Sequence, residues 1–366
     1  VSGTPWFLAL HRRHQPAFDV AFFLGGFAFD ALLLRRIDDG RVLVQQGVYL
    51  ALACLVFLWD HVLRSRGVEP SGRWARVASM RVPVLHFFLG TLLNAFLVFY
   101  FRASASLFSF LFTAALAVGI LVNELPRFRQ QGQPLRLLLI SFSVTSYLAY
   151  VIPMAWGELE RWHYFSAVAA GSLAAVLLWA GTTLLAPHPG WRVGNSLVPA
   201  MALQAVLSLA YWSGAIPPVP LSLKELSLNT SVEPRRTERG LHYALQYQPA
   251  PVARWFWPGE DETFVGPEGA KVWAFARVFA PTRFKEQVEF HWDFEDARKR
   301  WVPAGQPYLA SLEGGNETGY RTFAYLTLGP PGRYRVRVLT EDGREIGSRT
   351  FRHVQAPPPA SLSRED

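Results

Sequence analysis

Between residues 17 and 213 the chain alternates long apolar runs with short breaks of Arg, Gly and Pro. Seven runs, approximately 17–34, 45–63, 82–101, 105–123, 134–152, 163–185 and 195–213, stand out. A bilayer core about 30 Å thick is crossed by about 20 residues of helix, so each run is long enough to span it. They predict a bundle of seven transmembrane helices over residues 1–213. The first run is the weakest, because AFDVAFFLGGFAFDALLL carries Asp19 and Asp30; a six-span arrangement lays it along the interface instead. In the sixth run Ser166, Ala170 and Ala174 form one small-residue stripe, and Ala167, Gly171 and Ala175 form the next. That spacing lets helix backbones approach closely.

After Trp212 the period changes. SGAIPPVPLSL is a Pro-broken exit from the apolar region, and beyond it come short alternating runs bounded by Gly, Pro and Asp. KVWAFARVFA, EQVEFHWDF, GYRTFAYLTL and GRYRVRVLT read as strands. In the last of these Tyr334, Val336 and Val338 share one face, and Arg333, Arg335 and Arg337 the other, as in a half-buried antiparallel strand. Asp342-Gly343 supplies a hairpin turn. In EIGSRTFRHV, Arg349 falls on the apolar side in the simplest register, which leaves that register open. Residues 214–270 read as a linker and the start of an extracytoplasmic region. Residues 271–355 read as a small all-β, immunoglobulin-like sandwich, and 356–366 as a disordered, Pro-rich tail.

Charge sharpens this division. Residues 1–212 hold 16 Arg, no Lys and 9 acidic residues; the remainder holds 20 basic and 19 acidic residues. The basic excess therefore belongs to the apolar half, where loop arginines set membrane orientation, and nucleic acid is not an expected partner. With a cytoplasmic N-terminus the inner segments carry eleven Arg and the outer loops five. That orientation puts everything after Trp212 outside. The loop GRWARVASMRVP places Trp74, Val77 and Met80 at helical spacing beside Arg73, Arg76 and Arg81. It suits a short helix on anionic headgroups, or simply a basic connector. Cys54 is the one cysteine, so neither an intramolecular disulfide nor a cysteine metal cluster is available. The opening VSGTPWFLALHRRHQP does not read as a cleavable signal peptide.

Candidate chemistry is sparse. In VEFHWDF, Val288, Phe290, Trp292 and Phe294 alternate inward, and Glu289, His291 and Asp293 share the outward face. Two carboxylates flanking a histidine can act as acid and base or ligate a divalent ion. The plainer reading is a solvated strand face, and no metal or cofactor is predicted. Tyr320, Arg321 and the row Arg333, Arg335 and Arg337 offer a basic, aromatic-edged surface for an anionic glycan, a lipid headgroup or a partner protein. A ladder of exposed ion pairs explains the same residues. Trp255, Phe256 and Trp257 form either a ligand shelf or part of the core. Within the membrane Asp30, His86 and Asn94, with Ser141, Thr145 and Tyr150, either line a polar cavity or hydrogen-bond helix to helix. Asp60 precedes Arg64 by one helical turn, a simple intrahelical pair. The chain has no phosphate loop, HExxH, GxSxG or dinucleotide fingerprint.

The C-terminal run from about Val272 to Val354 resembles the proteobacterial family known as domain of unknown function 2914. The residues that carry the likeness are VEFHW at Val288–Trp292, GYRT at Gly319–Thr322, PPGRYRVRV at Pro330–Val338 and EDGREIG at Glu341–Gly347, closed by Phe351. The resemblance implies an envelope-associated module, often fused to transmembrane helices, and implies no catalytic activity. The expectation is a non-enzymatic, multi-pass inner-membrane protein, surrounded by lipid, whose periplasmic sandwich binds an envelope protein or glycan. The rivals are a membrane-embedded enzyme or transporter using Asp30, His86 and Asn94, and a transmembrane sensor.

Overall fold

A computed structural model describes residues 37–67, 73–124, 132–187, 191–237, 240–248, 262–313 and 319–366. The run 17–34 with Asp19 and Asp30, and the aromatic group Trp255, Phe256 and Trp257, lie outside the described residues. The helices are α1 (Gly40–Arg66), α2 (Arg73–Ser79), α3 (Arg81–Ala103), α4 (Leu107–Glu124), α5 (Gln133–Trp156), α6 (Arg161–Leu185) and α7 (Val193–Trp212). All except the short α2 coincide with apolar runs of the sequence. Five stretches, Gly40–Arg66, Trp74–Ala103, Gln133–Trp156, Arg161–Leu185 and Val193–Trp212, are long and apolar enough to cross a bilayer. α4 adds a shorter apolar segment, Leu107–Ile120. The chain divides into two compact units. One holds the helices; the other holds Pro220–Asp366 with the short segments Ala103–Leu107 and Trp156–Leu159.

The helical unit buries polar groups within an apolar core and also turns apolar side chains outward. Leu177, Leu184, Val206 and Leu209 are exposed, whereas Asp60, Ser141, Thr145 and Gln204 are buried. Water would favour the reverse, but hydrocarbon forces each polar group to find its partner within the protein. Thr145 Oγ1 donates to Gln204 Oε1 at 2.9 Å, and Gln204 Nε2 donates to Ser141 Oγ at 2.7 Å. Ser141 Oγ donates to the Gly171 carbonyl at 3.2 Å. The chain of bonds joins α5, α6 and α7. It needs the close approach that the stripe Ala167, Gly171 and Ala175 allows, and all three are buried. At the ends of the helices, Asp39 caps α1 by accepting from the Arg41 amide at 2.9 Å, and Gly67 ends α1 in the left-handed region at φ 60°.

The second unit is all β: β1 (Ser222–Asn229), β2 (Ser231–Thr237), β3 (Gly240–Tyr247), β4 (Glu262–Gly266), β5 (Lys271–Phe279), β6 (Lys285–Glu295), β7 (Trp301–Pro303), β8 (Tyr308–Glu313), β9 (Tyr320–Thr327), β10 (Gly332–Thr340), β11 (Glu345–Gln355) and β12 (Leu362–Glu365). The four strands expected from the sequence are β5, β6, β9 and β10. One sheet runs β1-β5-β9, and a second runs β4-β11-β10-β6-β7 with β8 also paired to β6. Their facing sides form one core. Ala274, Ala276 and Val278 of β5 and Leu226 and Leu228 of β1 meet Val288, Phe290 and Trp292 of β6 and Val336 and Val338 of β10. A third sheet, β2-β3-β12, lays Val232, Tyr243 and Leu245 on Phe275, on the opposite side of β5. β5 is thus buried on both faces, which is why KVWAFARVFA is apolar at nearly every position.

Strands occur beyond those expected. The segment 214–270, read as a linker and the start of an extracytoplasmic region, contains β1 to β4, because Leu226 and Leu228 alternate into the core while β1 pairs antiparallel with β5. The tail 356–366, read as disordered, contains β12 paired with β3. Charge rather than apolar burial holds it: the Asp366 carboxylate is ion-paired with Arg277 and Arg321, and Arg364 with Glu225. The open register of β11 is resolved with Arg349 opposite Val336. Arg349 does lie on the apolar side, and its guanidinium reaches the rim to pair with Glu262 at 2.7 Å.

The Gly171 approach yields a test of helix packing. A Cβ there would overlap Thr145 Oγ1 and come 2.9 Å from the Ser141 carbonyl. Gly171→Ala is expected to cost about 1–3 kcal/mol, read as a lowered thermal midpoint in detergent. The loss should be smaller in a Thr145→Ala background, where the overlapping hydroxyl is gone.

Candidate functional site

β6 runs between β10 on one side and β7 and β8 on the other. Period-two alternation sends Val288, Phe290 and Trp292 into the core and leaves Glu289, His291 and Asp293 on the outer face. The register sets Asp293 opposite Arg335 and His291 opposite Arg337. Asp293 has little exposed surface and accepts from both arginines, at 2.9 Å from Arg335 Nη2 and 2.8 Å from Arg337 Nε. Arg333 reaches Glu295 at 3.0 Å. His291 Nε2 lies 2.7 Å from Glu289 Oε2. Across β7, Trp301 presents its ring to two guanidiniums, Arg335 at 4.5 Å and Arg333 at 5.6 Å from the centroid. The face is a ladder of cross-strand ion pairs ending on an aromatic plate, its arginines partly exposed around the buried Asp293.

This geometry sorts the residues singled out by the sequence. Glu289, His291, Asp293, Arg333, Arg335 and Arg337 come together. Tyr320 and Arg321 do not join them: they lie on β9, in the other sheet, where Arg321 pairs with Asp366 and Tyr320 packs at the edge of the core. The expected single surface is therefore two surfaces, because the chain changes sheets between β9 and β10. Among the described residues no group of three or more His, Cys, Asp or Glu side chains is placed to hold a metal ion; Asp293, the natural third ligand, is turned to its arginines. Buried hydrogen bonds in the helical unit include those among Ser141, Thr145 and Gln204, and that of Tyr150 donating to Gln46. His86 and Asn94 are half-buried on α3, with interactions of their own.

Four participants escaped the sequence reading. Trp301 follows the charged run Arg298–Arg300 in a short segment that shows no alternation. Gln204 sits in a run read only for its apolarity. Asp60 is far more than a partner for Arg64, since Arg81, Arg136 and Gln133 also converge on it. Glu286, on the inward face of β6 opposite to the ladder, is buried and accepts from the Leu159 amide at 2.9 Å. Burial lifts its carboxyl to about 7 against an ordinary 4.5, helped by Asp342 and Glu341 and opposed by the Leu159 amide and Arg344. Tyr334 is also raised by burial, and its hydroxyl donates to the Pro330 carbonyl at 2.9 Å.

Residues 285–352 match the family described as "Protein of unknown function (DUF2914)". The match opens at the start of β6 and closes in β11, so it contains the whole ladder and the Trp292, Tyr334 and Phe351 cluster of the core. No curated protein matches the chain. Among solved structures, the Pseudomonas fluorescens alkylpurine DNA glycosylase AlkC, bound to DNA containing an abasic site analog, aligns with 88% of this chain and 99% of its own. The identity is 14% and the TM-score 0.23, and a score that low transfers neither fold nor function.

Two measurements follow from the charges. Asp293→Ala strands two arginines beside a buried position and is expected to cost about 3 kcal/mol. Glu289→Ala, at a partly exposed pair, should cost less than about 1 kcal/mol; hydrogen exchange across β6 and β10 separates the two. Glu286 binds its proton more tightly folded than unfolded, so its contribution to stability is present below about pH 4.5. It is lost as pH rises through about 7. Glu286→Gln should therefore raise the thermal midpoint at pH 8 and leave it unchanged at pH 4.

Proposed function

We propose that this chain is a multi-pass inner-membrane protein with seven spans and a cytoplasmic N-terminus. Its periplasmic module binds an anionic envelope component through the Arg333–Arg335–Trp301 end of the ladder. The carrying observation is that plate: a tryptophan ring against two partly exposed guanidiniums, which already pair with Asp293 and Glu295 and would meet a carboxylate or phosphate with the N–H groups left over. The satisfied hydrogen bonds of Ser141, Thr145 and Gln204 weigh toward packing and against a polar transport path in the helices.

The orientation draws support from the helix ends. Hydrogen bonds from Arg81 and Arg136 to Asp60, and from Arg66 to the Leu185 carbonyl, gather the end of α1, the starts of α3 and α5 and the end of α6. Arg64, Arg66, Arg76, Arg81, Arg136 and Arg192 belong to that end, against Arg41, Arg102 and Arg161 at the other, the asymmetry of a cytoplasmic face. The immunoglobulin-like reading of the module draws support from three features. β5 and β9 stand as neighbours in one sheet, and β6, β10 and β11 in the other. Trp292 is buried on β6, and the Tyr334 hydroxyl reaches back to the chain just before β10, as in a tyrosine corner.

Reporter fusions after Gly214 and after Arg66 should give periplasmic and cytoplasmic activity respectively; a cytoplasmic signal after Gly214 overturns the orientation. Detergent-solubilised chain should be retained on an immobilised anionic envelope glycan, and Trp301→Ala and Arg335→Ala should each weaken retention about three- to tenfold. Retention equal to wild type in both variants would sink the binding reading.

A further inference from the structure

Asp60 has no exposed surface, and five hydrogen bonds from four side chains close on it. Arg64 Nε lies 3.0 and 2.8 Å from its two oxygens. Arg81 Nε lies at 2.6 Å, Gln133 Nε2 at 2.7 Å and Arg136 Nη1 at 2.5 Å. One carboxylate thus faces three guanidiniums. Two positive charges have no counter-charge in the cluster among the described residues. A low-dielectric site tolerates a paired charge far better than an uncompensated one. The imbalance is sharpest at Arg136, only 5% exposed, whose Nε–H has no acceptor among the described residues. The cluster is open on one side, since the Arg81 and Arg64 side chains are 24% and 46% exposed. Directly before Arg81, Trp74 and Val77 of α2 and Met80 just after it are exposed, giving apolar anchors of the kind that sit at the acyl boundary.

We propose that Arg64, Arg81 and Arg136 form a binding site for the phosphate of an anionic phospholipid headgroup, with Trp74, Val77 and Met80 seated against its acyl chains. Phosphate oxygens accept from guanidiniums in the forked geometry that an ammonium cannot match. A headgroup whose one charge is its phosphodiester offsets part of the excess, whereas a zwitterionic lipid brings its own cation. Asp60 then acts as the template that holds the three arginines at one place. The inference rests on the helices crossing a bilayer, and a carbonate wash of native membranes that released the chain would expose the failure of that reading separately.

The test uses full-length chain in nanodiscs of phosphatidylcholine with or without phosphatidylglycerol. The protein is then washed in detergent, and retained lipid is counted by native mass spectrometry. Wild type should keep about one phosphatidylglycerol per chain in preference to phosphatidylcholine. Arg81→Gln should lower that occupancy at least about fivefold. Arg64→Gln, at the more exposed position, should lower it as well and serves as the reading if Arg81→Gln loses its helical circular dichroism. Equal retention of the two lipids would overturn the proposal, as would undiminished phosphatidylglycerol in folded variants. Thermal stabilisation by millimolar inorganic phosphate matching that by phosphatidylglycerol would assign the cluster to a free anion and overturn the lipid assignment.

Discussion

A carboxylate sealed away from solvent must be answered by donors, and in the helical unit Asp60 is answered by three helices at once. α1 brings the acid and Arg64, α3 brings Arg81, and α5 brings Gln133 and Arg136. Removing the acid would leave the arginines repelling one another; removing Arg136 would leave a charge buried with less to meet it. The Ser141–Thr145–Gln204 bonds apply the same rule deeper in the bundle with neutral groups. In lipid the hydrophobic effect gives no drive between helices, since the surroundings are equally apolar. Close packing, small residues and internal hydrogen bonds do that work, and the positions facing outward are free to be leucine and valine.

In the β unit the constraint is reversed, and the sheet separates the two chemistries strand by strand. Trp292 stands between His291 and Asp293, one side chain in the core and its neighbours on the wet face. Phe351 meets Trp292 edge-on and Tyr334 in a stacked arrangement, locking the register that sets Asp293 against Arg335. The ladder is thus a product of core packing: a slip of one residue would move every arginine inward.

Legibility followed periodicity. Six apolar runs became helices because their length carries the signal, and β5, β6, β9 and β10 were visible through alternation or continuous apolarity. The outward sharing of Glu289, His291 and Asp293 was equally plain, as was the small-residue stripe of α6. What escaped was held by long-range partners. β1 and β2 look polar because they depend on β5 and β3; β12 depends on ion pairs with residues far upstream. Tyr320 and Arg321 resembled the β10 arginines in type, yet no local pattern says on which sheet a strand will lie. Asp60 looked like half of an intrahelical pair because Arg81 and Arg136 arrive from other helices.

The parallel pairing of β4 with β11, with Glu262 beside Phe351, has a kinetic meaning. β1 likewise waits for β5, and β3 for β12. A topology this rich in distant partners folds slowly compared with one built from hairpins, because loop-closure entropy is met before the contacts that reward it. Until β11 arrives, β4 and β10 are open edges, ready templates for the wrong strand. Synthesis runs from the helices toward these last strands, so the interval before closure is when the nascent chain is most exposed to proteolysis and to mispairing with its neighbours.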